Sequence, residues 1–277
     1  MKSNIIINNF QYKMKLNQKK KLLKYLKKIH ILEWPQFLKS FKKNYQYSYD
    51  KKLINKYKKF KNINIIGMGG SSLGTKAIYN FFQKKIKKKI TFSDNLNLKN
   101  ENIKPGLNII ISKSGNTLET ITNSNYAINK KNKNLFFIEK KNSYLEKLAK
   151  KLRSEVIEHK NFIGGRFSVL SEVGMIPSEL MGLDEKKFKQ YNNLIIKKNF
   201  LNNLVDNTLS TYELIRNNKF NSVILNYDPQ SEDLFRWYQQ LVSESLGKNS
   251  KGIFPIISTM PKDNHSILQL YLDGFKS

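Results

Sequence analysis

The 277-residue chain contains no cysteine. That excludes a disulfide framework, thiolate metal sites and a cysteine nucleophile. Histidine is scarce, and His30, His159 and His265 are scattered singly rather than grouped as a zinc site requires. Arginine is scarce too: of 50 basic residues, 46 are Lys, and only Arg153, Arg166, Arg216 and Arg236 are Arg. No apolar run approaches the ~18 residues of a membrane helix. The opening MKSNIIINNF has neither the long apolar region nor the small-residue cleavage site of a signal peptide. These absences lead to the expectation of a cytoplasmic protein with no membrane partner and no metal. What remains, 39% hydrophobic residues with 17 Phe, 14 Tyr and 2 Trp, is enough to build a core in one large or two modest domains.

The net charge of +29 on its own suggests a nucleic acid or an anionic surface. Its composition argues otherwise. Nucleic-acid interfaces favour the planar, bidentate guanidinium of Arg, whereas this excess is almost all Lys. Lys, Asn and Ile, all with A/T-rich codons, make up 110 of the residues. Codon bias is therefore the preferred reading, and no specific nucleic-acid partner is expected.

Residues 1–62 form a Lys-rich segment, with 18 Lys against two acidic residues. Leu16, Leu22, Leu23, Leu26 and Ile29 fall near helical spacing, which predicts an amphipathic helix broken by Trp34-Pro35. From residue 63 strands and helices alternate. Strands are predicted at Ile63–Ile66, Ile90–Ser93, Leu107–Ile111 and Leu135–Ile138, with helices near Ser72–Lys84, Thr117–Lys131 and Ser143–Leu152. Such alternation implies βαβ units and a mostly parallel sheet. A helical stretch is expected from about Ser168 to Asn217. A second set then follows: strand Ser222–Leu225, helix Glu232–Leu246, strand Phe254–Ser258 and helix Asn264–Leu272. Two strands do not make a sheet domain, so this set either joins the first sheet or is incomplete.

Several loops carry candidate chemistry. Gly67-Met68-Gly69-Gly70-Ser71-Ser72-Leu73-Gly74 lies between a strand and a helix, where free N–H groups favour an anion. It misses the dinucleotide pattern at Ser72 and the triphosphate pattern at Lys76, which leaves a phosphate site or a plain tight turn. Ser112-Lys113-Ser114-Gly115-Asn116-Thr117 occupies an equivalent place and offers several donors to a phosphate monoester. The alternative is a capping motif, although capping needs one hydroxyl rather than three. Arg166, after Gly164-Gly165, suits a fixed cation beside a developing oxyanion or a surface ion pair. Gln240 and Glu244 share a helical face, so Glu244 is either a base oriented by Gln240 or a solvated carboxylate. His265, at a helix start, can shuttle protons or be structural.

Five blocks, GMGGSSLG, ISKSGNTLET, GGRFSVLSEVG, QQLVSESLGK and NHSILQLYLDG, follow one another between residues 67 and 274. In this order they resemble the glucose-6-phosphate isomerase (phosphoglucose isomerase) family. The resemblance implies an α/β, sugar-isomerase (SIS)-type three-layer fold with a mostly parallel sheet. It divides the chain into the helical segment 1–62, a first SIS-type domain over 63–190 and a partial second one over 191–277. It further implies cofactor-free and metal-free interconversion of glucose 6-phosphate and fructose 6-phosphate through a cis-enediolate. Ser71, Ser112, Lys113 (through its backbone amide), Ser114 and Thr117 would hold the phosphate, and Gln240 the substrate. Glu244 would be the base and Arg166 the enediolate's cation, with His265 opening the sugar ring from across a homodimer interface.

Two departures stand out. Asn116 occupies a place where the family commonly has Thr. The segment carrying a further lysine that assists ring opening is not found before Ser277, and Lys276 lies in a different context. The expectation is a shortened member, with a sugar-phosphate-binding homologue of impaired catalysis as the alternative.

Overall fold

The computed structural model describes residues 16–31, 35–96, 105–191, 193–194 and 197–274. Trp34 and Lys276 lie outside the described residues. Five short strands, β1 (Asn62–Ile66), β2 (Lys89–Ser93), β3 (Leu107–Ile111), β4 (Lys133–Ile138) and β5 (Glu155–Glu158), pair in parallel in the order β2-β1-β3-β4-β5. Every residue of β3 is buried, as expected of a parallel strand covered on both faces.

The faces are divided by strand alternation. Ile63, Ile65, Ile109, Ile111, Leu135 and Phe137 pack beneath α2 (Lys51–Tyr57) and α6 (Glu172–Leu180). Ile66, Ile110, Phe136 and Ile138 pack on the other side, against α4 (Leu118–Ala127) and α5 (Tyr144–Lys151). The helix α3 (Leu73–Phe82) lies on the α6 side. The result is the three-layer α/β arrangement expected from the sequence. Asn64, Asn108 and Asn134 are registered side by side on β1, β3 and β4. Their buried amides form a ladder: Asn108 Nδ2 donates to Asn134 Oδ1 at 2.9 Å, and Ser93 Oγ donates to Asn64 Oδ1 at 3.1 Å.

The N-terminal helix α1 spans Leu16–Ile31 and is tied by Lys19 to Asp206 at 2.6 Å. Asp206 belongs to α8 (Lys198–Arg216). The helical stretch read from about Ser168 to Asn217 is made of several separate helices. A 3-10 turn over Gly165–Leu170 precedes α6, and the short α7 (Glu185–Phe188) precedes α8. Gly182, at φ +88°, ends α6 in a Schellman pattern, with Leu183 N–H donating to Ser178 O at 3.0 Å.

The second set, β6 (Asn221–Asn226), α9 (Glu232–Leu246), β7 (Phe254–Thr259) and α10 (Leu268–Asp273), makes a separate two-stranded parallel sheet that does not extend the first. Its apolar side is open: Leu225, Phe254 and Leu272 are 46%, 63% and 75% exposed. The helix α9 nonetheless packs against α3 of the first layer system, and this places its side chains over the loops described next.

Candidate active site

With strands ordered β2-β1-β3-β4-β5, the sheet reverses direction of growth between β1 and β3. Loops leaving the carboxyl ends of those strands flank the crevice where open α/β sheets bind ligands. Both candidate loops are there. They touch at Gly67, where a Cβ would stand 3.0 Å from the Ile111 carbonyl oxygen and 2.9 Å from Ser71 Cβ.

The loop after β1 turns at Gly69, φ +53°, and Ser71 closes a single 3-10 turn before α3. Gly70 lies backbone to backbone against Gly165, and a Cβ on Gly70 would come 2.2 Å from the Gly165 carbonyl carbon. Ser168 Oγ, which is buried, bridges the two loops by donating to Gly165 O at 2.7 Å and Gly70 O at 3.1 Å. The neighbouring Arg166 is thereby carried to the mouth of the crevice.

Arg166 is half-buried, with its guanidinium 4.7 Å above the Phe167 ring. Its Nε donates to Ser245 Oγ at 2.9 Å and its Nη1 to Glu244 Oε2 at 3.1 Å. The other Glu244 oxygen, Oε1, accepts from Gln240 Nε2 at 2.7 Å. That amide also lies against Gly69, 2.9 Å from where a Cβ would be. Trp237, one turn earlier on α9, donates from Nε1 to the Arg166 carbonyl at 2.9 Å. A carboxylate, a cation and an orienting amide therefore meet at one point, supplied by chain segments far apart in sequence. Glu244 keeps about half of its side chain exposed, at 48%, so the carboxylate is within reach of a ligand in the crevice.

The loop after β3 gathers hydroxyls. Ser112 Oγ and Thr117 Oγ1 are 2.9 Å apart, Ser114 Oγ and Thr117 Oγ1 3.4 Å, and Gly115 N–H donates to Ser112 Oγ at 3.1 Å. Thr117 is the N-cap residue of α4, yet its side chain makes no capping bond. The hydroxyls thus converge on one another, and simple capping does not account for them. Gly115, φ +65°, is demanded by Ser143: a Cβ would fall 2.1 Å from its Oγ. Asn116 turns away, its Oδ1 accepting from Tyr144 N–H at 2.9 Å at the start of α5. The Lys113 side chain also leads away, donating to Asn161 O at 2.6 Å and pairing with Glu139 at 3.4 Å.

Beside Lys113, at the end of β5, His159 is 1% exposed, and its Nε2 has no partner among the described residues. Burial, aided by the Lys113 charge, pushes its pKa down to about 4. His265 ends the 3-10 turn Lys262–His265 after β7, exposed, and among the described residues no hydrogen bond or ion pair joins it to Arg166, Gln240 or Glu244. The neighbouring Asp263 accepts from Ser258 Oγ at 2.7 Å and Thr259 N–H at 2.8 Å, bonds that hold its carboxyl below the usual range.

Within one chain, then, Arg166, Gln240 and Glu244 form one group, Ser112, Ser114 and Thr117 another, and His265 joins neither. Trp237, Ser245 and Ser168 were not singled out by the sequence. Trp237 was findable, since it shares a helix face with Gln240 and Glu244 at spacings of three and seven. Ser168 and Ser245 carried no separate signal. Among the described residues, no group of three His, Asp or Glu side chains could hold a metal ion.

The sequence model of the phosphoglucose isomerase family matches residues 35–257. The glucose-6-phosphate isomerase of Methanocaldococcus jannaschii is 36% identical over 255 residues, covering 82% of this chain and 61% of that protein. The chain spans about three fifths of the length of the curated relatives it matches. In fold it is similar to a hypothetical protein from Thermus thermophilus, with a TM-score of 0.69 at 22% identity over 94% of this chain and 68% of that one. It is also similar to tagatose-6-phosphate ketose/aldose isomerase from Escherichia coli, with a TM-score of 0.55 at 12% identity over 92% and 68% of the two chains.

Proposed function

Since the chain belongs to the phosphoglucose isomerase family, we propose that it interconverts glucose 6-phosphate and fructose 6-phosphate by proton transfer. The observation that carries the reading is the meeting of Glu244 with Arg166 and Gln240 at the sheet's switch point. A carbon acid beside a carbonyl ionises poorly. It needs a base at the carbon and a fixed positive charge at the oxygen together. In this reading Glu244 removes the C2 proton of the open-chain aldose, and the electron pair moves into the carbonyl to give a cis-enediolate. Arg166 stabilises its oxyanion. Return of the proton to C1, with the O2 hydroxyl proton passing to O1, completes the ketose. General base catalysis supplies about 10²–10⁴-fold and a preorganised donor about 10²–10³-fold.

Ser71, Ser112, Ser114, Thr117 and the Lys113 backbone amide hold the phosphate. Its binding energy orients carbons remote from it. The Arg166–Glu244 pair opens as substrate enters, with Gln240 keeping Glu244 aimed at the sugar. His265, which makes no hydrogen bond or ion pair with Arg166, Gln240 or Glu244 among the described residues, opens the ring as a group donated from a second copy in a homodimer. The same reading places the reaction in the cytoplasm without cofactor and divides the chain at residues 62 and 190.

Isomerisation in D₂O tests the proposal. Product should carry solvent deuterium at the carbon that gains the proton, and Glu244→Gln should remove both turnover and label while fructose 6-phosphate still binds. Unlabelled product formed equally well by the Gln variant would contradict it, and binding without turnover in the native chain would favour the impaired homologue.

A further inference from the structure

Resting on the isomerase reading, we infer that Ser245 and Trp237 are positioning residues that clamp Arg166 at two points from a single helix. Ser245 Oγ takes the guanidinium at Nε, 2.9 Å away. Because the guanidinium is planar, fixing Nε sets the plane of the whole group and turns its terminal nitrogens towards Glu244. Trp237 fixes the other end of the residue by donating its indole N–H to the Arg166 carbonyl, also at 2.9 Å. The Phe167 ring under the guanidinium limits what motion is left.

The consequence concerns geometry between charges. Arg166 is 78 residues from Glu244 in the chain and sits on a turn, where its long side chain would otherwise sample many rotamers. The clamp refers it to α9, the rigid element that also carries Glu244 and Gln240. Base and cation are then held in one frame, so the cation needs little reorganisation when charge develops on the substrate. The glycine contact between Gly70 and Gly165 brings the turn to α9, and Ser245 and Trp237 fix it there.

The test uses the full chain with Ser245→Ala, Ser245→Thr and Trp237→Phe, and it has a readout independent of activity. With only four arginines, the Arg166 Nε–H resonance is assigned by its loss in Arg166→Lys. Its hydrogen exchange should be slow in the native chain and about five- to tenfold faster in Ser245→Ala. Ser245→Thr, which keeps the hydroxyl, should restore it. With fructose 6-phosphate, Ser245→Ala and Trp237→Phe should each lower kcat about tenfold with KM held within about twofold. Unchanged Nε–H exchange in Ser245→Ala overturns the clamp, whether or not the chain turns substrate over. Changed exchange with undiminished kcat overturns its part in the reaction. Slow native exchange, lost in Ser245→Ala, in a chain with no turnover supports the clamp and rejects the isomerase reading instead.

Discussion

Single side chains near the crevice carry consequences for stability as well as for chemistry. His159 is neutral in the folded chain because burial lowers its pKa from 6.5 to about 4. Between those values the unfolded chain binds a proton that the folded chain refuses, so stability rises with pH across that window and is lost as pH falls from 6.5 towards 4. The full linkage amounts to about 3 kcal/mol. His159→Leu should therefore show a flatter fall in urea midpoint between pH 7 and 4.5 than the native chain; parallel falls would mean that His159 is not buried as a neutral ring. Gly70 makes a second prediction. Its contact with Gly165 leaves no room for a methyl group, so Gly70→Ala should cost about 1–3 kcal/mol and displace Arg166. A lowered melting temperature together with lost isomerisation is expected, and unaltered stability and turnover would show that the two loops do not bear on each other.

Among the elements, the central strands depend on polar as well as apolar contacts. Asn108 is 1% exposed, donates to Asn134 at 2.9 Å, and donates to the Ala127 carbonyl at 3.2 Å. Asn108→Ala should leave these acceptors unsatisfied in a dry interior and cost about 1–3 kcal/mol, read as a lower denaturant midpoint at constant slope; no change would mean that the ladder adds nothing. These Asn residues interrupt the apolar runs, yet Ile63–Ile66, Leu107–Ile111 and Leu135–Ile138 were legible as strands because the Ile, Leu and Phe around them dominate. The fifth strand was not. Glu155-Val156-Ile157-Glu158 buries only Ile157, and a short edge strand with charged ends gives little signal. The break in the helical stretch after Ser168 was also missed, since Gly182 ends α6 through its left-handed backbone rather than through any change in hydrophobic pattern. The helix α9 has the bounds read for it in the sequence, Glu232–Leu246.

Over the whole molecule, sequence division and spatial association differ. The strand β6 and helix α9 follow the first sheet in sequence and form part of a second one, but α9 faces back across α3 and completes the group at the first sheet's switch point. Sequence blocks identified Arg166, Gln240 and Glu244 one by one. Their meeting was beyond local pattern, because it arises from the packing of Gly70 on Gly165 and of Trp237 on the Arg166 turn. The second sheet keeps an apolar side exposed at Leu225, Phe254 and Leu272, and the turn that carries His265 packs beside β7. Among the described residues no helix is long and apolar enough to cross a membrane. In the proposed reaction this one carboxylate, set against one arginine, moves a proton on a sugar phosphate. The most direct measurement is conversion of fructose 6-phosphate to glucose 6-phosphate by the purified chain, with Glu244→Gln as the control. Turnover in the native chain that falls by about 10²-fold or more in the variant, with ligand binding retained, is the predicted result; equal turnover in both would contradict the account.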